Sequence, residues 1–186
     1  YGLRAFADNF DKAELKIAVD KCHALGKKVY VTLNIFAHNR DFASMPELIS
    51  YLNKIKVDGI LVSDLGVLTM VKKYAPDVEI HLSTQLNISN IEALKFYARY
   101  ADVVVLAREL NMDQVREIYD EIERQDIRGP RGERIRIEMF CHGALCMAVS
   151  GKCYLSLDNL GRSANRGECM QVCRRGYIVT DRETGV

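Results

Sequence analysis

No run of apolar residues in this chain approaches the roughly 20 needed to cross a bilayer, and no basic-then-apolar leader opens it. A membrane span and export are therefore not expected, and a cytoplasmic protein is. Three signatures of common enzyme classes are missing too. There is no Gly-x-Gly-x-x-Gly turn to cradle a dinucleotide, no His-Glu-x-x-His pair for a protease zinc, and no Gly-x-Ser-x-Gly elbow for a serine hydrolase. Strong charge of either sign is also lacking, since the net charge is +1. Residues 1–125 carry 16 Lys and Arg against 18 Asp and Glu, whereas 126–186 carry 10 against 7. That small basic excess does not by itself imply nucleic-acid binding.

What remains is an ordinary globular composition, 48% hydrophobic and 27% charged over 186 residues. That is enough chain for one sizeable core and little for two. Five β-branched-rich runs recur: Val29–Leu33, Gly59–Val62, Val78–Leu82, Val103–Leu106 and Ile135–Met139. Helical spacing fills the gaps. Leu15, Ala18, Val19, Cys22 and Leu25 form one stripe, closed by Gly26, and Cys22 reads there as a small buried hydrophobe. Ser44 and Ser89 read as caps of the next helices, and Asn111 or Asp113 opens one that ends near Gln125. Strands separated by single helices pair in parallel through right-handed crossovers. The expected fold is an α/β (β/α) TIM-type barrel truncated at both ends, since a full barrel takes roughly 200–250 residues. A flavodoxin-like five-stranded sheet is the alternative. The division is a partial barrel over 1–140 and a Cys-rich segment over 141–186, on the barrel rim and continuing beyond the chain. A further strand-like run, Gly176–Thr180, lies within the second part.

Polar residues follow the apolar runs at the strand ends, among them Asn34, Ser63, Asp64, Ser83, Gln85, Arg108, Glu109, Glu138 and His142. A barrel carries its active site on that rim, so Gln85 and Glu109 are candidates for substrate contact. Five of the six cysteines crowd into the last quarter: Cys141, Cys146, Cys153, Cys169 and Cys173. A reducing compartment argues against disulfides. Zinc sites favour two close Cys pairs, whereas irregular spacing on a glycine-containing loop suits an iron–sulfur cluster. Spacing leaves both metals open. A cysteine protease would need an imidazole and an orienting third group beside the thiol. His142 is near in sequence, but no third member can be named.

The run Glu138-x-Phe140-x-x-Gly143-Ala144-Leu145-Cys146-x4-Gly151-x-Cys153-x-Leu155-Ser156 resembles the signature of the collagenase-like peptidases, unassigned peptidase family 32. Gly161-Arg-Ser-Ala-Asn-Arg-Gly167-x-Cys169-x-Gln171-x-Cys173-Arg174 is similar to the family's next block, and Tyr1-Gly-Leu-Arg4 to the stretch after its second barrel strand. Val172 stands where relatives often carry Pro. The resemblance implies a barrel whose first two strands precede Tyr1. It also implies oxygen-independent hydroxylation of the transfer-RNA wobble uridine, a ribosomal cytidine or the ubiquinone ring, with prephenate as hydroxyl donor in the transfer-RNA branch. A [4Fe–4S] cluster is implied on Cys146, Cys153 and Cys169, with the fourth ligand beyond Val186 or at Cys173; zinc is the alternative metal. RNA, chiefly transfer RNA, is the implied partner, and a protein partner subunit is the other that the resemblance implies. The family name implies peptidase activity, and a non-catalytic iron–sulfur subunit is a third reading. Glu138 and His142 are candidates for proton transfer, with an ion pair to an arginine as the alternative for Glu138. Arg162, Asn165 and Arg166 are candidate anion or substrate contacts.

Overall fold

A computed structural model describes residues 1–143 and 146–185. Ala144 and Leu145, two positions of the signature run, and Val186 lie outside the described residues.

Five short parallel strands, β1 (Tyr30–Leu33), β2 (Gly59–Val62), β3 (Glu79–Leu82), β4 (Val103–Val105) and β5 (Arg136–Glu138), pair in strict sequence order. Register runs Tyr30 to Gly59, Gly59 to Glu79, His81 to Val103 and Val103 to Arg136. Sequential order removes the flavodoxin-like alternative, which needs the first strand inside the sheet. It is the order of a (β/α)-barrel wall. The described sheet is open, with β1 and β5 as its edges, so it is a barrel-like arc. Both edges show in the burial: Tyr30 and Thr32 of β1 and Arg136 and Glu138 of β5 are exposed, whereas every residue of β4 is buried.

Right-handed crossovers put the connecting helices on one face. They are α2 (Met45–Lys54), α3 (Leu65–Tyr74), α4 (Ile91–Ala98) and α5 (Met112–Gln125), and α1 (Lys12–Ala24) precedes β1. Leu33, Ile60, Val62, Ile80, Leu82, Val104 and Leu106 point at them and join Ile49, Leu52, Val67, Val71, Leu94, Ile118 and Ile122 in one core. Helix starts follow side-chain chemistry. Asp11 and Asn111 close capping boxes on Glu14 and Gln114, and Asp64 accepts from the Val67 N–H. The cap of α4 is Asn90, one residue after the expected Ser89, because its carbonyl oxygen reaches the Ala93 N–H. Asn111, not Asp113, caps α5. Cys22 is half-buried, not buried, and Leu25 is exposed. Of the residues of α1, only Val19 is buried.

A sixth helix, α6 (Leu155–Leu160), lies in the Cys-rich segment and has no signal in the apolar periodicity. The run 176–180 forms no strand; Ile178 and Val179 are exposed, and no described strand lies beside them to pair with. Among the described residues, no helix is long and apolar enough to cross a membrane.

Candidate functional site

Alternation along each strand turns every second side chain away from the helices. On that opposite face Thr32, Leu61, Ser83, Val105 and Glu138 line a cavity of about 970 Å³ with Asn34, Thr84, Gln85 and Arg108 at the strand ends. The Cys-rich segment roofs it, so that Cys146, Cys153, Cys169 and Cys173 all share its wall. The N-terminal segment adds Arg4 and Phe6.

The roof is docked by specific bonds at three places. The Gly167 carbonyl accepts from the Ala5 N–H at 3.0 Å, and the Asn165 carbonyl from the Phe36 N–H at 2.8 Å. Gly167 has φ of +89°, and a Cβ there would sit 2.9 Å from the Ala5 nitrogen and 3.0 Å from the Gly2 oxygen. Arg166 donates twice to Asp41, at 2.7 and 3.0 Å, and once to the Phe36 carbonyl. Its hydrogen bonds hold the buried Asp41 carboxyl at about 2, overcoming the opposite effect of burial. Glu109 accepts from the backbone N–H of Ser150 at 2.7 Å and faces its hydroxyl at 3.3 Å, while that hydroxyl also meets Asn87 at 2.7 Å. The Ser150 N–H is the main cause of the lowered Glu109 pKa. These bonds hold Ser150 at φ of +46°, a left-handed conformation costly for a non-glycine residue. Arg108 reaches the neighbouring Ala148 carbonyl at 3.1 Å.

The cavity floor carries unspent hydrogen-bonding capacity. Among the described residues, Asn34 Oδ1, Gln85 Oε1 and Arg108 Nε are buried without a hydrogen-bond partner. Gln85 is only 7% exposed. Burying such groups unpaired costs about 1–3 kcal/mol each, and sites that bind polar ligands are where that cost is carried. Among the described residues of the wall, the charged side chains are Arg4, Arg108 and Lys152 against the single carboxylate Glu138. An anionic or acceptor-rich ligand is therefore favoured.

The defining sequence pattern of peptidase family U32 matches residues 1–185. The chain belongs to peptidase family U32. It is 53% identical over 180 residues to a collagenase of Porphyromonas gingivalis strain W83, covering 97% of this chain and 43% of that protein. It is 40% identical over 178 residues to tRNA hydroxylation protein P1 of Bacillus subtilis, covering 95% of this chain and 40% of that protein. This U32 chain thus spans about two fifths of the length of these relatives. The solved structure of the U32 peptidase Mk0906 superposes with a TM-score of 0.54 at 18% identity, over 74% of this chain and 54% of that one. At that identity the likeness is one of fold.

Within the U32 fold, the residues proposed from sequence separate by position. Glu138 and Gln85 line the cavity, as do Cys146, Cys153, Cys169 and Cys173. Cys141 and His142 are exposed and lie outside its lining. Glu109 and Arg166 hold the roof, and Asn165 accepts from the Cys153 N–H at 3.0 Å. Arg162 pairs with Glu168 at 3.3 Å on the surface. Arg108 and Asn34, which belong to the polar rim read from the sequence, line the cavity as well. The four cavity thiols match in kind the donors of an iron–sulfur or zinc site. Among the described residues, no three His, Cys, Asp or Glu side chains are drawn close enough together to hold a metal.

Proposed function

We propose that this cavity serves an oxygen-independent hydroxylation of RNA, with the wobble uridine of transfer RNA as substrate. The observation that carries this reading is the makeup of the wall. Four thiols and three cations surround a space whose described lining has one carboxylate and no imidazole. Cysteine proteolysis needs an imidazole beside its thiol, and aspartic proteolysis needs two carboxylates sharing a proton. The cations suit a phosphate backbone and a small carboxylate co-substrate such as prephenate, which the unpartnered Arg108 Nε would meet. Cys146, Cys153 and Cys169 are the proposed holders of a [4Fe–4S] cluster, with Cys173 or a residue outside this chain as the fourth. When bound, such a cluster supplies one-electron chemistry or a Lewis-acidic iron.

A second reading, cleavage of protein, rests on a specific comparison: the relative at 53% identity is a collagenase. On the relatives' names cleavage has the stronger support; on the cavity's chemistry hydroxylation does. Nucleoside analysis of transfer RNA from a strain lacking the gene separates the two. Loss of 5-hydroxyuridine derivatives supports hydroxylation. Unchanged nucleosides, with gelatin cleavage by the purified protein, would establish the peptidase instead.

A further inference from the structure

Glu79, His81 and Arg136, which none of the foregoing uses, extend from Glu138 as a chain of polar residues across β3 and β5. Glu79 and His81 are two residues apart on β3 and face the same side of the sheet; Arg136 and Glu138 do the same on β5. His81 is 2% exposed. Its Nε2 lies 2.5 Å from Glu79 Oε1, and Glu79 Oε2 takes an ion pair from Arg136 at 2.6 Å. His81 Nδ1 lies 3.1 Å from Glu138 Oε1, off the line of a hydrogen bond, and has no other partner. Glu138 in turn lines the cavity.

The room for this imidazole is built in. The Tyr30 ring of β1 packs against it at 4.8 Å between centroids. On β2, a Cβ at Gly59 would come within 2.7 Å of Tyr30 and 3.1 Å of His81. From β4 only Val103 and Val105 face this side. The charged or titratable groups around His81 are therefore Tyr30, Glu79, Arg136 and Glu138, with Arg4, Arg108 and Lys152 across the cavity from the last.

Proton counting decides what this arrangement holds. A carboxylate bonded to Arg136 at Glu79 fixes the Nε2–H tautomer, which leaves Nδ1 a bare lone pair. A bare Nδ1 only 3.1 Å from an ionised Glu138 is repulsive even off the hydrogen-bond line, and it leaves the group with a net negative charge that the 48% exposure of the Glu138 side chain only partly screens. One proton between Nδ1 and Oε1, reached by a small turn of the half-exposed Glu138 carboxyl onto the Nδ1 axis, removes that repulsion: either Glu138 is protonated and donates, or His81 is the cation between two carboxylates. Each alternative makes the four-residue group neutral.

We infer that Glu138 and His81 share a single proton at the cavity wall, with Glu138 exchanging it with an oxygen or nitrogen of the bound ligand and His81 acting as its positioning residue. Glu79 is kept ionised in support. Its burial pushes the pKa up, but the Arg136 and His81 contacts outweigh that and leave it lowered. The inference goes beyond the choice between hydroxylation and cleavage, and its test uses neither activity.

The test is a pH titration of the intact protein with nitrogen-15 in histidine and carbon-13 in the glutamate carboxyls. His81 is recognised by slow solvent exchange of its Nε2–H. Expected is one common titration step at the His81 ring and the Glu138 carboxyl, with the Nε2–H retained throughout. In Glu138→Gln the His81 step should move to lower pH by about one unit or more, a roughly tenfold loss of proton affinity, because the anionic partner is gone. Glu138→Ala, which leaves no side-chain group at the cavity wall, should shift it the same way. A His81 step unmoved in both variants, or a Glu138 carboxyl that titrates alone in the ordinary carboxylate range, would overturn the inference.

Discussion

Replacing Asp41 by Asn should loosen the roof of the cavity, and the size of the effect follows from one ion pair. Asp41 is 8% exposed and takes two hydrogen bonds from Arg166 and one from the His38 N–H at 2.7 Å. Its folded pKa is about 2 against an ordinary 3.8. At 1.36 kcal/mol per unit, that difference is worth roughly 2 kcal/mol near neutral pH. The sign is that of a depressed acid. The stabilisation is complete above the unfolded-state value and is lost as pH falls from about 4 toward 2. Urea unfolding of Asp41→Asn at pH 7 should therefore show a loss of about 2 kcal/mol. Its acid limb should also be flatter than that of the native chain. Cys153 should react faster with a thiol reagent, because Asn165 and Arg166 hold that part of the roof. A loss under about 0.5 kcal/mol, typical of surface pairs, with an unchanged acid limb would refute the argument.

Three further outcomes follow from the same geometry. Gly167→Ala should cost about 1–3 kcal/mol in thermal unfolding, since the new methyl meets two backbone atoms in a left-handed conformation; a neutral result would show that the N-terminal segment does not dock there. Ser150→Ala should destabilise by about 1–2 kcal/mol by removing the hydroxyl that faces Asn87 and Glu109, and Ser150→Gly by less, because glycine relieves the strain at φ +46°; the reverse order in denaturant melts would contradict the clamp. Gln85→Leu should raise the melting temperature while weakening RNA or carboxylate binding about tenfold, because an unpaired buried acceptor is kept for a ligand; equal or tighter binding would remove Gln85 from the site.

The strands and their order were legible because β-branched runs spaced by helical periods leave few topologies. The rim was legible as polar residues at strand ends, and Gln85 and Glu138 came with it. What escaped depends on contacts between distant parts of the chain. Arg166 reads as an anion contact until its carboxylate appears 125 residues earlier. Glu109 reads as a rim residue, yet its charge is spent on the Ser150 N–H. Glu79 and His81 were hidden inside an apolar run. Their spacing of two, on a strand, was a usable signal that the run as a whole obscured. Arg108, Asn34 and Gln85 stand apart from the other rim residues in carrying buried atoms without partners among the described residues, which a sequence does not display.

The central claim is that the four cavity thiols are a redox donor set rather than incidental cysteines. Anaerobic purification of the full-length protein, followed by iron and sulfide analysis and a visible spectrum, tests it most directly. Expected is a brown protein whose visible band and iron are lost together in Cys146→Ala, Cys153→Ala and Cys169→Ala but retained in Cys141→Ala, since Cys141 lies outside the cavity lining. Colourless protein carrying one zinc, or a cluster retained when Cys146, Cys153 and Cys169 are all replaced, would contradict it.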